Sequence, residues 1–268
     1  MIVLLLLVLV FLVYLLILGG RRQQPGWEKL EGFCYAHRGL PGNGVPENSM
    51  TAFRLAVEKG YGIELDIHLL ADGTLAVIHD GSTLRTTGRD TKVETLTAAD
   101  LTSYPLEGTE DTIPTFRQVL DMVDGKIPLV VELKSVDDNY AALTDAACAM
   151  LKDYPGAYCV ESFDPRCVHH LKKHHPQIIR GQLAENFFKS ETPLTWQQKL
   201  CMTSQLANFL TQPDFVAYRF ADRKRPGIFL VKHFWKMKTV AWTIKTPEDL
   251  EKAEQEGWLP IFEGFIPE

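Results

Sequence analysis

The chain has 268 residues, a formal net charge of −6 at pH 7, and hydrophobic side chains at 46% of its positions. This length is enough for one large domain with a sizeable core. The acidity, without a basic run or an aromatic platform in the sequence, excludes nucleic acid as a predicted partner.

The first predicted element is a hydrophobic helix. Residues 1–18 include no charged side chain, and a helix over residues 1–19 would be about 28 Å long, close to the hydrocarbon thickness of a membrane. We therefore predict a single transmembrane anchor over residues 1–19 that contacts membrane lipid. A cleaved signal peptide and a buried helix are the alternatives, although the start MIVLLLL lacks the basic residue typical of a signal peptide.

Two features predict the side of the membrane on which the remaining chain lies. Arg21 and Arg22 directly follow the hydrophobic run, while only the α-amine precedes it, so the positive-inside bias favours the cytoplasmic face. The cysteines are odd in number and show no CxxC spacing, which argues against a disulfide framework or a zinc site. We predict free thiols in or near the core, as is typical of a reducing compartment. The cysteines are residues 34, 148, 159, 167 and 201.

A polar linker is predicted over residues 20–31, and a single domain over residues 32–268. In this domain, short apolar runs alternate with helix-like stretches. The predicted strands are residues 33–37, 62–68, 128–134, 157–162, 177–183, 214–219, 238–244 and 260–265. Eight strands alternating with helices over about 235 residues predict an α/β fold, a (β/α)8 TIM-type barrel. A doubly wound open sheet is the alternative, but no GxGxxG follows the first strand.

Helix boundaries can be predicted at two places in this domain. PENSMTAFRLAVEKG offers Asn48 or Ser49 as an N-cap and Gly60 as a C-terminal stop. TPEDLEKAEQEG begins at Thr246, carries acids in its first turn and ends before Gly257.

A β-hairpin is predicted after the second strand. Only LLADG separates that strand from the strand-like TLAVIH, and residues 71–73 are typical of a tight turn. A turn centred near Asp72 and Gly73 places His79 opposite Asp66, and a register shifted by one residue is the alternative. Since cross-strand neighbours lie about 5 Å apart, the hairpin brings an imidazole to the second strand.

The second strand itself carries Glu64, Asp66 and His68 in alternation with apolar residues, so these three side chains share one face. Adjacent carboxylates near the C-terminal end of a barrel strand, where barrel active sites form, either share a proton or hold a cation. Glu132 in VVELK adds a third carboxylate from the next barrel strand. Three carboxylates make an all-oxygen site that suits one divalent cation, Mg²⁺ or Ca²⁺, rather than zinc.

Basic residues adjoin these acids in the sequence. Arg38 follows the first strand and Lys134 lies two residues after Glu132, so the metal and these two cations would make the site attractive to an anion. This charge balance indicates a phosphate ester rather than a sugar or a peptide. His37 ends the first strand, and with His79 it would supply the general base and general acid, because imidazole titrates near neutral pH.

Several motifs resemble, in order and spacing, those of the glycerophosphodiester phosphodiesterases: AHRG, PENSMTAF, IELDIHLLADGTLAVIHD, LRTT, IPTF and VELK. Weaker similarities follow in ESFDP and VAWTI. The resemblance assigns the domain of residues 32–268 to this family and implies a metal-dependent (β/α)8 barrel. It maps the family's catalytic histidines to His37 and His79, its metal carboxylates to Glu64, Asp66 and Glu132, and its substrate contacts to Arg38, Lys134 and Trp242.

The resemblance implies hydrolysis of a small-molecule glycerophosphodiester to sn-glycerol 3-phosphate and an alcohol, in lipid metabolism. A lysophospholipid is the alternative substrate. A catalytically dead barrel that acts as a binding module is the alternative from another class, and the intact histidines and acids argue against it. The family shows no role at the position of His68, which we interpret as structural or solvent-facing. The ending IFEGFIPE replaces the family's usual Asp-Gly…Thr-Asp and leaves the role of the last strand open.

Overall fold

The structure is a computed structural model that describes residues 1–21 and 26–267. Eight parallel strands close into a barrel, because β1 pairs with both β2 and β9, and β3 adds an antiparallel hairpin to β2. This confirms the predicted (β/α)8 barrel with its hairpin. The strands are β1 (Tyr35–His37), β2 (Gly62–Leu69), β3 (Leu75–Val77), β4 (Leu129–Leu133), β5 (Tyr158–Ser162), β6 (Arg180–Ala184), β7 (Phe215–Arg219), β8 (Lys238–Ile244) and β9 (Leu259–Phe262).

Helices alternate with these strands along the chain. The helices are α1 (Ile2–Ile17), α2 (Met50–Lys59), α3 (Leu84–Thr87), α4 (Phe116–Val123), α5 (Tyr140–Leu151), α6 (Pro165–His174), α7 (Trp196–Thr203), α8 (Asn208–Thr211), α9 (Pro226–His233) and α10 (Pro247–Gln255). Local chemistry sets their ends where the sequence predicts. The Ser49 hydroxyl caps α2 by accepting a hydrogen bond from the Ala52 amide at 3.1 Å, and Gly60 ends it at a φ of 75°. Thr246 caps α10 in the same way.

The strands are buried on both faces. Ile63, Leu65 and Ile67 of β2 pack outward in the main core cluster, so Glu64 and Asp66 face the barrel interior. All five residues are buried. The strand that carries the acids is therefore fixed by apolar packing on its outer face.

The N-terminal end of the barrel interior is filled by large rings. Tyr35 and Phe215 are fully buried there, in one cluster with Trp27 and Leu30. A Cβ at Gly181 would lie 2.2 Å from the Phe215 ring, so only glycine leaves room for it. Truncating a buried phenylalanine of this kind to alanine costs about 3–5 kcal/mol of unfolding free energy. This end of the barrel supports the fold, which leaves the opposite end for chemistry.

The N-terminal helix α1 ends on the barrel. The Trp235 indole donates a hydrogen bond to the Leu15 carbonyl at 2.7 Å, and Leu18 is fully buried. Across residues 1–21 and 26–267, no helix combines the length and the apolar character needed to cross a membrane. The structure therefore does not support the transmembrane anchor predicted over residues 1–19, nor the contact with membrane lipid predicted from it. The helix has 16 residues, about 24 Å of rise against roughly 30 Å of hydrocarbon.

The predicted linker of residues 20–31 is described only in part, because residues 22–25 lie outside the described residues. Within it, Arg21 forms an ion pair with Asp214, and Trp27 and Leu30 pack into the barrel. The domain bounds stay a prediction. The cytoplasmic placement also stays a prediction. It depends in part on Arg22, which is not among the described residues. The five cysteines are free, and three of them are buried, as predicted.

Candidate active site

The barrel register brings the predicted acids together. His37 of β1 pairs with Glu64 of β2, and Asp66 of β2 pairs with Glu132 of β4. One ligand atom from each of the three carboxylates lies within 4.8 Å of the others, and all three residues are buried. The strand order therefore places the acids where the sequence predicted a metal centre.

The close approach of these carboxylates perturbs their pKa values. Burial raises the pKa of Glu64 well above its ordinary value, and repulsion from Asp66 and Glu132 adds to this shift. Burial also raises the pKa of Glu132 to about 7, although Lys134 opposes it. Burial acts in the same direction on Asp66, but attraction to Lys134, His79 and Arg38 together with the Asn48 hydrogen bond outweighs it and lowers the pKa. The burial and mutual repulsion that raise the pKa of Glu64 disfavour its charged form, and a cation bound among the carboxylates would offset both effects.

The two predicted phosphate-binding cations lie against the acids. Lys134 Nζ is 2.9 Å from Glu132 Oε1 and 3.2 Å from Asp66 Oδ1. Arg38 Nε is 3.5 Å from Asp66 Oδ2, and its Nη1 donates to Glu47 Oε1 at 2.8 Å. Both cations are thus close enough to the carboxylates to contact an anion bound there.

Asn48 is a further contact of the acid cluster. Its Nδ2 donates a hydrogen bond to Asp66 Oδ2 at 2.9 Å, and the residue is buried with a φ of 51°. The left-handed backbone, which asparagine tolerates better than most residues, turns the side chain away from the helix cap that Ser49 supplies. Asn48 therefore orients an acid and does not cap α2.

His37 is held by a residue from the far end of the chain. Its Nδ1 lies 2.5 Å from Glu263 Oε2, and its Nε2 lies 3.9 Å from Glu64 Oε2. Lys245 pairs with Glu263 at 2.6 Å. The hydrogen bond with His37 lowers the pKa of Glu263 to about 2, and Lys245 contributes. Glu263 directly follows β9, so the unusual ending IFEGFIPE supplies the carboxylate that orients His37, a role that sequence reasoning missed.

His79 is held by its neighbour in sequence. Its Nδ1 lies 2.6 Å from Asp80 Oδ1, and Arg85 Nε donates to Asp80 Oδ2 at 2.5 Å. Arg85 also donates to Glu47 Oε1 at 2.6 Å, and Glu47 accepts from Arg38. Burial lowers the pKa of His79, although the negative charge of the acid cluster opposes this shift. A continuous series of hydrogen bonds thus joins His79 to Arg38, a predicted phosphate-binding residue. Sequence analysis did not identify Asp80 or Arg85 as part of the site.

The hairpin register differs from the main prediction by one residue. Ile67 pairs with Val77, and the Ile78 amide donates to the Asp66 carbonyl at 3.1 Å, so His79 is not opposite Asp66. The alternative register is the correct one, because the turn is one residue tighter than assumed. The strand β3 ends at Val77, so alternation does not continue to His79, and its side chain still lines the cavity at the acids.

His68 is structural and buried, not solvent-facing. Its Nδ1 lies 2.8 Å from Glu94 Oε1, and its Nε2 lies 3.3 Å from the His79 carbonyl oxygen. It therefore ties the segment around Glu94 to the loop that carries His79.

A cavity of about 390 Å³ adjoins the acids. His37 and His79 both line it, together with Trp242 and Glu161. Trp242 Nε1 and Glu161 Oε2 are buried and have no hydrogen-bond partner among the described residues. Glu161 pairs with Glu132 across β4 and β5, and burial raises its pKa. Its position in the predicted strand over residues 157–162 was the signal that could have identified it as a fourth acid.

A comparison with protein-family models matches residues 37–265 to the Glycerophosphoryl diester phosphodiesterase family. A glycerophosphodiester phosphodiesterase of Caldanaerobacter subterraneus subsp. tengcongensis is 28% identical over 235 residues, which cover 83% of this chain and 89% of that protein.

Solved structures share the fold. A phosphodiesterase of Oleispira antarctica, in complex with the product sn-glycerol-3-phosphate, aligns with a TM-score of 0.69 and 23% identity over 86% of this chain and 92% of that one. A glycerophosphodiester phosphodiesterase of Thermotoga maritima aligns with a TM-score of 0.67 and 21% identity over 87% and 95% of the two chains. At this identity the structures show the fold alone, whereas the family match covers most of the chain. The chain therefore belongs to the glycerophosphoryl diester phosphodiesterase family and is an enzyme of that class.

Proposed function

We propose that this enzyme hydrolyses a glycerophosphodiester to sn-glycerol 3-phosphate and an alcohol, with a divalent cation and two histidines, in glycerophospholipid metabolism. The observation that carries the proposal is that both histidines are held in the same way, with Nδ1 in contact with a carboxylate. Nδ1 of His37 and Nδ1 of His79 each contact a carboxylate, at 2.5 Å and 2.6 Å. Each ring therefore keeps Nε2 for proton transfer, on a cavity wall shared with the acid cluster.

The acid cluster fits a hard divalent cation. Glu64, Asp66 and Glu132 offer only oxygen ligands, which suit Mg²⁺ or Ca²⁺. Asp66 Oδ1 is buried and accepts no hydrogen bond from the described residues, and its charged neighbour is Lys134 Nζ at 3.2 Å. A cation held by these three residues would polarise a phosphoryl oxygen and offset the charge that develops on it.

The side chains around the cluster supply the remaining steps. Arg38 and Lys134 bind and orient the phosphate oxygens by charge-assisted hydrogen bonds. One of His37 and His79 takes a proton from water as its oxygen bonds to phosphorus. The other gives a proton to the alcohol oxygen as its bond to phosphorus breaks. Proton transfer by positioned side chains contributes about 10²–10⁴-fold to the rate.

The glycerol arm fits the cavity of about 390 Å³. Trp242 Nε1 is a buried donor and Glu161 Oε2 a buried acceptor, each without a partner among the described residues. Two glycerol hydroxyls can satisfy these atoms, and leaving them unpaired would cost about 1–3 kcal/mol each. The product sn-glycerol-3-phosphate in the Oleispira antarctica relative supports this assignment.

The test is release of sn-glycerol 3-phosphate from glycerophosphocholine by the full chain. Activity should vanish on exhaustive metal removal and return with Mg²⁺ or Ca²⁺. The same cation should raise the melting temperature, since a ligand that binds the native state stabilises it. Glu132→Gln keeps the side-chain shape but removes the charge, so both effects should be lost. Full activity in metal-free protein, verified by elemental analysis, would refute the metal assignment.

A further inference from the structure

The candidate site opens into a second cavity of about 820 Å³. It shares His79, Glu132 and Phe163 with the smaller cavity of about 390 Å³. The phosphorus centre of a diester, bound at the acids and His79, would thus lie where the cavities meet. A phosphodiester has two arms, and the two cavities offer each arm a compartment of its own.

The smaller cavity is the compartment for the glycerol arm, an assignment that rests on the proposed function. Its buried Trp242 Nε1 and Glu161 Oε2 require hydroxyl partners. The larger cavity is then left for the alcohol that departs.

The wall of the larger cavity is mainly apolar. Val136, Phe163, Phe187, Leu194 and Met202 line it, and they come from the loops after β4, β5 and β6 and from α7. Phe187 is buried and the other four are half-buried. Apolar surface that remains partly exposed to water is stabilised by covering it with another apolar group.

The charged groups of this cavity are already engaged. Among the described residues that line it, the carboxylates are Glu132 and Asp164. Glu132 pairs with Lys134 at 2.9 Å, and Asp164 pairs with Arg166 at 2.8 Å and accepts from Ser135 at 2.6 Å. A cationic alcohol such as choline would therefore have to compete with existing ion pairs.

We propose that the larger cavity binds an apolar leaving alcohol, so that the preferred substrates are glycerophosphodiesters whose second alcohol carries a hydrocarbon chain. In the reaction, the oxygen of water bonds to phosphorus, and the bond between phosphorus and the alkanol oxygen breaks. One proton passes to the alkanol oxygen, and the products are sn-glycerol 3-phosphate and the free alkanol. Each methylene that the cavity removes from water contributes up to about fourfold to binding.

The experiment compares kcat/KM of the full chain for glycerophospho-alkanols with methyl, butyl and octyl chains. We expect a rise of at least about tenfold from methyl to octyl, well within the limit for fully buried methylenes. Lysophosphatidylcholines of matched chain length carry the hydrocarbon on the glycerol instead. They should show no comparable rise, because the smaller cavity is polar.

Variants locate the chain within the cavity. Met202→Glu places a charge in the wall and should remove the gain in kcat/KM with chain length, measured as the ratio of octyl to methyl substrate. Leu194→Glu tests a second wall position should Met202→Glu melt at a lower temperature. Leu200→Glu is the matched control, since Leu200 lies on the same helix, is 38% exposed and does not line the cavity. It should keep the gain.

The outcomes separate this inference from the proposed function. A flat alkanol series in an enzyme that hydrolyses glycerophosphocholine would overturn the inference alone. A rise for lysophosphatidylcholines only would overturn the choice of arm. A gain that survives both Met202→Glu and Leu194→Glu would place the chain elsewhere. Failure to hydrolyse any diester, with metal supplied, would instead refute the proposed function.

Discussion

His37 and His79 are held by the same chemistry, but their partners lie at very different distances along the chain. Glu263, which contacts His37, is 226 residues away, whereas Asp80 is the next residue after His79. The first contact exists only when β1 meets β9 and the barrel closes. The second forms within a single loop. One half of the candidate acid–base pair therefore depends on the global fold, and the other on local structure.

The two carboxylates also differ in what lies beyond them. Lys245 backs Glu263, and its side chain is 69% exposed. Arg85 backs Asp80 and continues through Glu47, which also binds Arg38. The contacts beyond Asp80 thus extend to Arg38, a predicted phosphate-binding residue, while those beyond Glu263 lead through Lys245 to solvent. Changes around His79 should consequently affect substrate binding as well as turnover.

The largest expected effect is removal of either imidazole. His37→Ala and His79→Ala should each lower kcat by about 10²–10⁴-fold, the usual contribution of general acid–base catalysis. Melting temperatures should stay near that of the wild type, and His233→Ala, at an exposed position on α9, is the matched control. Near-normal turnover by either variant in steady-state assays would exclude that histidine from the chemistry.

A smaller loss is expected when only the orienting carboxylate is neutralised. Asp80→Asn and Glu263→Gln keep the shape but weaken the hold on Nδ1. By analogy with carboxylates that orient metal-bound histidines, we expect activity to fall about 10–100-fold. The pH profile of kcat/KM should shift in each variant, which a purely structural effect would not cause. If Glu263→Gln left activity and the pH profile unchanged while Asp80→Asn did not, the idea that both histidines depend equally on an orienting carboxylate would be refuted.

The contrast between local contacts and contacts that need the closed barrel explains which parts of the fold and the site could be predicted from the sequence. The barrel, the acids on β2 and β4 and the position of His37 followed from alternation and strand order. The hairpin was predicted, but its register was wrong by one because the tightness of a turn depends on backbone geometry. Glu263 could not be inferred, since its role arises from contact between the first and last strands. Glu161 was hidden in an apolar strand, and its meaning depends on its cross-strand neighbour Glu132.

The difference between Arg85, which contacts Asp80, and Lys245, which contacts Glu263, can be tested directly. Arg85→Met removes the link between Asp80 and Glu47 and should raise KM as well as lower kcat. Lys245→Met breaks an exposed ion pair, and such pairs contribute about 0–1 kcal/mol, so activity should change less than about fivefold. Equal effects on KM in steady-state kinetics would show that the contacts beyond Asp80 carry no coupling to substrate.

The smallest expected effect concerns stability in acid. The pKa of Glu263 is lowered from 4.5 to about 2, first by the hydrogen bond with His37. A carboxyl group whose pKa is lowered in the folded state stabilises it above the unfolded pKa, and this contribution is lost as pH falls through the folded pKa. The wild type should therefore exceed Glu263→Gln in unfolding free energy by about 1 kcal/mol above pH 4.5, after allowance for solvent screening. The gap should shrink as the pH falls from about 4.5 towards about 2. Urea denaturation at a series of pH values measures it, and a gap that widened on acidification would mean that the carboxyl group is not held as an anion by His37.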